Sequence, residues 1–149
     1  MMSLKDTLND TIKSAMKARE MDTVKVLRNV QAAIKKVEID SQTELGDTAI
    51  LELLQKQIKQ RQESLEIYTA NGREDLANKE QFEIDTISQF LPAQLDEAEL
   101  VAIIKATILA TEAQGMKDMG KVMNAVKEQT VGLADPAVIS GLVKQALTA

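Results

Sequence analysis

One arginine occupies a position where the helical pattern predicts an apolar side chain. Around the stretch "LQKQIKQRQESLEIY", which begins at position 54, apolar residues recur every three or four positions except for one interval of seven. Arg61 lies inside that interval, where the next apolar residue is expected. The apolar members of the series are Leu51, Leu54, Ile58, Leu65 and Tyr68. A guanidinium in such a seam either pairs with a carboxylate of a neighbouring helix or binds the phosphate or carboxylate of a partner.

The Asn71-Gly72 pair predicts a turn that brings a carboxylate partner opposite Arg61. Asn-Gly ends a helix and predicts a tight turn between two antiparallel helices. Arg61 lies eleven residues before Gly72 and Glu83 lies eleven residues after it, so the two side chains should face each other. Glu80 lies on the same stripe of the next helix. We therefore predict a structural latch between Arg61 and Glu83 or Glu80, and the alternative of anion binding stays open.

A second group of cations lies on the predicted second helix. Four side chains fall on one side of it, opposite the apolar stripe: Lys25, Arg28, Lys35 and Lys36. This face is either solvated or a docking strip for RNA phosphates or for an acidic protein. No aromatic residue is interleaved with the cations, so the strip is expected to contact RNA backbone and shape rather than stack on bases.

The charge of the chain is unevenly distributed around that strip. The net charge is −5, which disfavours a strong general nucleic-acid binder. Between positions 11 and 37, however, seven cations stand against two carboxylates, a local charge of +5 that leaves −10 on the rest. A local basic face on an acidic protein can still attract an anionic partner.

A third pattern, "KDMGKVM", places Lys117 and Lys121 around a predicted helix start. The backbone N–H groups of a helix start favour anions, so a phosphate is one possible ligand. Capping by Asp118 would use the same N–H groups and is the structural alternative.

The amino-acid composition excludes several kinds of catalysis. The chain has no Cys and no His, which excludes disulfides, thiolate zinc sites, and Ser-His or Cys-His catalysis. Carboxylate pairs such as Glu80 with Glu83 arise by chance among 23 acidic residues. No catalytic residue, metal site or cofactor is therefore predicted. No apolar run reaches the roughly 18 residues of a membrane span, and the first ten residues lack a secretory leader's apolar segment, so we expect a cytoplasmic protein.

Helix starts and stops organise the chain. We predict an all-α fold of about seven helices, with a four-helix N-terminal unit at 1–92 and a three-helix C-terminal unit at 93–149, and no strand. The predicted helix starts are Ser3, Asp22 or Thr23, Asp47 or Thr48, Arg73, Asp96 with Glu99 as a capping box, Asp118, and Asp135 followed by Pro136.

Two sequence signatures carry a resemblance over essentially the whole chain. The stretch "KQRQESLEIYTANGREDLANKEQFEIDTISQFLPAQL", followed by "MGKVMNAV" and "VGLADPAVISGLVKQAL", resembles the YqeY-like family. That family is similar to the C-terminal tail domain of the B subunit of bacterial aspartyl/glutamyl-tRNA amidotransferase. The residues at matching positions are Arg61, Arg73, Asp75, Leu76, Glu83, Pro92, Met119, Gly120, Gly132, Ala134 and Asp135.

The resemblance implies a helical fold and a role beside tRNA. In the amidotransferase the tail helps to hold tRNA while other domains carry out catalysis. The first hypothesis is thus a non-catalytic module that binds tRNA, weakly or with assistance, by shape and backbone charge. The second is a protein-interaction module that docks on a synthetase or amidotransferase without contacting RNA. A carbon–nitrogen ligase with glutamine as amido-N-donor is the third, implied by the family alone because no active-site residues are predicted here.

Overall fold

The computed structural model describes residues 3–149, and within them the chain forms seven α-helices and no strand. The predicted all-α fold is confirmed. The helices are α1 (Leu4–Lys17), α2 (Met21–Ser41), α3 (Asp47–Ala70), α4 (Glu74–Ser88), α5 (Glu97–Thr111), α6 (Met119–Thr130) and α7 (Pro136–Thr148). A short 3₁₀ turn, Met116–Asp118, leads into α6.

The chain divides into two compact units, the first ending at Leu91 and the second beginning at Pro92. Helices α1–α4 surround the apolar core of the first unit, in which Leu27 and Ile87 are completely buried. The other buried members are Leu8, Ile12, Ala15, Val24, Val26, Val30, Ile34, Ile50, Leu54, Ile58 and Ile84. Burial of these side chains provides the main stabilisation of the unit.

The connection between α1 and α2 depends on a left-handed residue. Arg19 has a φ of 60°, and the N–H of Glu20 donates to the carbonyl of Ala15 at 2.9 Å, which satisfies the end of α1. Helix α2 then begins at Met21, with Glu20 before it and no side-chain cap. The chain thus starts α2 earlier than the caps predicted at Asp22 or Thr23, because the turn itself directs the backbone into the helix.

Long-range polar contacts fasten the start of α1. The Asp47 carboxylate, expected to cap α3, instead accepts a hydrogen bond from the N–H of Leu4 at 3.0 Å. Nearby, the Glu38 carboxylate forms an ion pair with Lys5 and accepts the N–H of Leu45 at 2.7 Å. The hydrogen bond from Lys5 lowers the pKa of Glu38 and, reciprocally, raises the pKa of Lys5. These contacts join α1, α2, the loop before α3 and the first residue of α3.

Helices α3 and α4 pack along each other as the hairpin predicted from the Asn-Gly turn. Gly72 adopts a φ of +70°, which glycine tolerates without steric cost, and the N–H of Arg73 donates to the carbonyl of Tyr68 at 2.9 Å. Arg73 also pairs with Asp75 at 3.3 Å, at the exposed start of α4.

The second unit is a three-helix arrangement of α5, α6 and α7. Asp96 accepts the N–H of Glu99 at 2.8 Å while the Glu99 carboxylate accepts the N–H of Asp96 at 3.0 Å, so the predicted capping box is formed. Its buried core consists of Leu100, Ile104, Val122, Val126, Ala134, Ile139 and Val143. The backbone of Leu95 bonds to the carbonyl of Leu133 at 2.9 Å, which fixes the segment before α5 on the α6–α7 turn.

No helix within residues 3–149 has the length and apolar character that crossing a membrane requires.

Candidate functional site

The four cations predicted on α2 form one exposed surface, here named the basic strip. Lys25, Arg28, Lys35 and Lys36 are all exposed, while Leu27 and Ile34 on the opposite side of the helix are buried. A rise of 1.5 Å per residue places the first and last of these cations about 16 Å apart along the helix. In the described part of the chain, none of the four forms an ion pair with a carboxylate.

Helix α1 adds positive charge beside the basic strip. The guanidinium of Arg28 lies over α1, with its Nη2 3.5 Å from the sulfur of Met16. Lys13 and Lys17, on the same C-terminal half of α1, are exposed. The end of the α1–α2 hairpin therefore presents cations from both helices.

A groove lies between α2 and α4, here named the α2–α4 groove, with a volume of about 490 Å³. From α2 it is lined by Lys25, Val26 and Asn29, and by the carboxylate of Asp22. The residues that α4 contributes are Asp75, Asn78, Lys79, Phe82 and Glu83. Lys25 thus belongs both to the basic strip and to this groove, so the two surfaces are continuous.

The α4 side of this groove was not predicted from the sequence. Residues 75, 78, 79, 82 and 83 recur at helical intervals and share one face of α4, which the sequence could have revealed. What the sequence did not reveal is that this face meets the flank of α2. Phe82 consequently lines the same groove as Lys25, although no aromatic residue is interleaved with the cations along α2 itself.

Arg61 lies behind the groove, in the seam between α3 and α4. Its Nη2 is 3.6 Å from Oε1 of Glu83, and both side chains are only 15% exposed. Nη1 donates to the side chain of Gln57 at 2.5 Å and to its backbone carbonyl at 3.1 Å. The Nε of Arg61 is buried without a hydrogen-bond partner. Of the two acids named for the latch, the structure brings Glu83 to Arg61, while Glu80 lies half-buried one turn earlier.

The second unit holds the two remaining candidate cations. Lys121 donates from Nζ to the carbonyl of Thr111 at 2.7 Å, and so caps the C-terminal end of α5. Lys117 is exposed in the 3₁₀ turn. Asp118 precedes α6 but makes no capping bond to it, because its carboxylate accepts the N–H of Gln114 at 2.8 Å. The predicted cap is therefore replaced by a contact that closes the preceding loop.

The shifted pKa values belong to ion pairs. The Arg73 guanidinium lowers the pKa of Asp75, as Lys5 lowers that of Glu38. Both shifts favour the charged carboxylate, whereas a general acid or base near neutral pH needs a carboxyl pKa raised toward that pH. Within residues 3–149, no group of three or more Asp and Glu side chains has the arrangement of a metal site. The basic strip and the α2–α4 groove carry exposed cations, amides and one aromatic ring.

Comparison with known proteins identifies the family. The family described as Yqey-like protein matches residues 5–147, nearly the whole chain. The chain belongs to the YqeY-like family. This confirms the resemblance found in the sequence signatures, and the seven helices are those of a helical module of that family.

Curated relatives of this YqeY-like chain include the following three fungal proteins. It is 28% identical over 146 residues to "Altered inheritance of mitochondria protein 41, mitochondrial" of Pyrenophora tritici-repentis, covering 95% of this chain and 80% of that protein. The protein of the same name in Eremothecium gossypii is 36% identical over 87 residues, 58% of this chain and 48% of the relative. In Lachancea thermotolerans the identity is 34% over 125 residues, 81% of this chain and 65% of the relative. The chain thus spans from about half to four fifths of these relatives.

The relatives correct one expectation. A cytoplasmic location was expected from the sequence, and it is contradicted because all three relatives are named mitochondrial proteins. The length of an apolar run shows whether a segment can cross a membrane. It does not show in which aqueous compartment a protein lies. That is why composition gave the wrong expectation.

Proposed function

We propose that this YqeY-like chain is a non-catalytic module that binds tRNA, alone or within a tRNA-dependent amidation or aminoacylation complex, through the basic strip of α2. One observation carries the proposal: four exposed cations share one face of a helix, and none of them forms an ion pair with a carboxylate in the described part of the chain. Unpaired cations on a surface bind polyanions by releasing the counterions that surround the phosphates.

The dimensions of the strip suit a nucleic-acid backbone. Its length of about 16 Å, set by the helical rise, spans several phosphates of an RNA strand. Lys13 and Lys17 on α1 extend the positive surface beyond Arg28. Because the remainder of the chain is strongly acidic, attraction is confined to this region, which supports a single binding orientation.

The salt dependence of tRNA binding tests the proposal. If the four strip cations each neutralise one phosphate, the affinity should fall roughly 150-fold between 50 and 200 mM monovalent salt. The measurement is electrophoretic titration of the purified chain with total tRNA. An affinity that does not change with salt would contradict binding through the basic strip.

Charge reversal on the strip gives the residue-level test. Lys25→Glu with Arg28→Glu should abolish tRNA binding at 200 mM salt. Lys105→Glu with Lys144→Glu changes the net charge equally at exposed positions of the second unit and is the matched control. If both double variants weaken binding to the same degree, only net charge matters and the strip is refuted. Turnover of glutamine or a nucleotide by the pure chain, at a rate that depends on its own residues, would refute the non-catalytic role.

A second candidate is a module that docks on a synthetase or amidotransferase without contacting RNA. It is favoured by Met21 and Ile39, which are 57% and 66% exposed at the two ends of α2. The two side chains lie about 27 Å apart along the helix, so each would contact such a partner separately. Capture of a synthetase or amidotransferase subunit from nuclease-treated lysate, lost with Ile39→Ser and retained with Lys105→Glu, would support this candidate over RNA binding.

A further inference from the structure

The α2–α4 groove has an apolar wall and floor of the kind that a nucleobase can contact. Phe82 is 42% exposed and lines the groove, and the buried side chain of Val26 also lines it. The volume of about 490 Å³ lies within the range of roughly 300–1,000 Å³ that is typical of small-molecule sites. An exposed aromatic ring offers stacking to any base, since every base has a π-face.

Four polar side chains surround that apolar surface. Asn29 and Lys25 come from α2, and Asn78 and Lys79 from α4. Within residues 3–149 none of the four side chains forms a hydrogen bond or an ion pair. Each amide carries both a donor and an acceptor, as the edge of a base does, and each ammonium can pair with a phosphate.

The carboxylates of the groove are largely neutralised. Glu83 is paired with Arg61 and Asp75 with Arg73, each by a contact in the first unit. Asp22 is the third carboxylate, and it stands against the two ammonium groups. The groove therefore has a small positive net charge. The Asp22 carboxylate is a hydrogen-bond acceptor that suits the exocyclic amino group of a base.

We infer that the α2–α4 groove binds one unstacked nucleotide, with its base against Phe82, its edge hydrogen-bonded to Asn29 and Asn78, and its phosphate paired with Lys25 or Lys79. The inference deepens the proposed function and rests on it for the source of the nucleotide, an RNA held on the basic strip. Lys25 connects the two surfaces, so a nucleotide extruded from that RNA enters the groove without leaving the strip. Base contact thus adds to backbone contact.

The Phe82→Leu variant tests the role of the ring. Leucine keeps an apolar side chain at this position but removes the stacking surface, so tRNA affinity should fall roughly 5- to 100-fold. The salt dependence should stay unchanged, because no charge is lost. Ile67→Ala is the matched control, since Ile67 is a 60% exposed apolar residue of α3 outside the groove. Circular dichroism of both variants checks that the helices are retained.

Free mononucleotides test the groove independently of tRNA. AMP, CMP, GMP and UMP are titrated into the ¹⁵N-labelled chain, and ribose 5-phosphate serves as the ligand without a base. Nucleotides should shift the side-chain amide signals of Asn29 and Asn78 in the wild type and not in Phe82→Leu. Ribose 5-phosphate should leave those signals unchanged.

The outcomes separate the groove from the strip. Weaker tRNA binding by Phe82→Leu, or base-dependent shifts of the Asn signals, each supports the nucleotide site. If tRNA binds with the expected salt dependence but Phe82→Leu binds like the wild type and no nucleotide shifts the signals, the groove inference is overturned and the proposed function stands. If tRNA does not bind yet nucleotides do, the proposed function fails and the groove remains a nucleotide site.

Discussion

The ion pair between Arg61 and Glu83 predicts how much the free energy of unfolding changes when either residue is substituted. At 3.6 Å and an effective dielectric constant near 20, the attraction between the charges is about 4–5 kcal/mol. Desolvation of two side chains that are only 15% exposed offsets most of it, so the pair adds little net stability. Removing one partner is different, because the other charge then stays in a nearly buried site.

The two single substitutions should therefore be unequal. Among the described residues, Glu83→Gln leaves the guanidinium without a carboxylate partner and should lower the free energy of unfolding by about 2 kcal/mol, below the 3–5 kcal/mol of a dry site because some exposure remains. Arg61→Met removes the unpaired Nε and restores an apolar side chain to the seam, and the remaining partner Glu83 lines the groove, whereas Arg61 does not. Its cost should stay within about 1 kcal/mol.

The assay uses the single tyrosine of the chain. Tyr68 lies on α3, and the sequence contains no tryptophan, so intrinsic fluorescence during urea unfolding reports the first unit. The double variant should be about as stable as Arg61→Met alone, which gives an interaction energy of about 2 kcal/mol in the mutant cycle. Glu80→Gln, half-buried on the same helix, is the control and should change stability by about 0.5 kcal/mol or less.

Two results would refute this reasoning. Equal losses for Glu83→Gln and Glu80→Gln would show that the pair with Arg61 carries no special energy. Arg61→Met that unfolds like the wild type yet binds tRNA more weakly would assign Arg61 to anion binding, the alternative left open by the sequence.

Two further predictions concern local contacts. Because the pKa of Glu38 is lowered in the folded state, its contribution to stability is present above its ordinary value of 4.5 and is lost as the pH falls through the lower folded value. The difference in thermal midpoint between the wild type and Glu38→Gln should therefore shrink between pH 5 and the acid limit of folding, and a constant difference would contradict the ion pair with Lys5. Asp96→Ala removes half of the capping box and should lower the free energy of unfolding by about 1 kcal/mol in thermal melts followed by circular dichroism. Asp96→Asn should retain most of it, and equal losses for both variants would exclude capping as the cause.

The sequence by itself determined features that depend on residues a few positions apart. The capping box at Asp96 and the turn at Gly72 were predicted from the sequence and are confirmed, since each depends on hydrogen bonds or dihedral preferences within one turn of helix. The facing positions of Arg61 and Glu83 followed from the same turn, because a tight hairpin fixes the register of its two helices.

Only the tertiary structure decided contacts between residues that are distant along the chain. Asp47 accepts a hydrogen bond from the start of α1, although the sequence predicted that it caps α3. Lys121 caps the end of α5, although the sequence placed it at the start of the next helix. The α2–α4 groove exists because core packing turns one flank of α2 toward the face of α4 that carries Phe82. Helical periodicity tells which residues share a face, but the rotation at which two faces meet is set by how the buried side chains of the whole unit pack together.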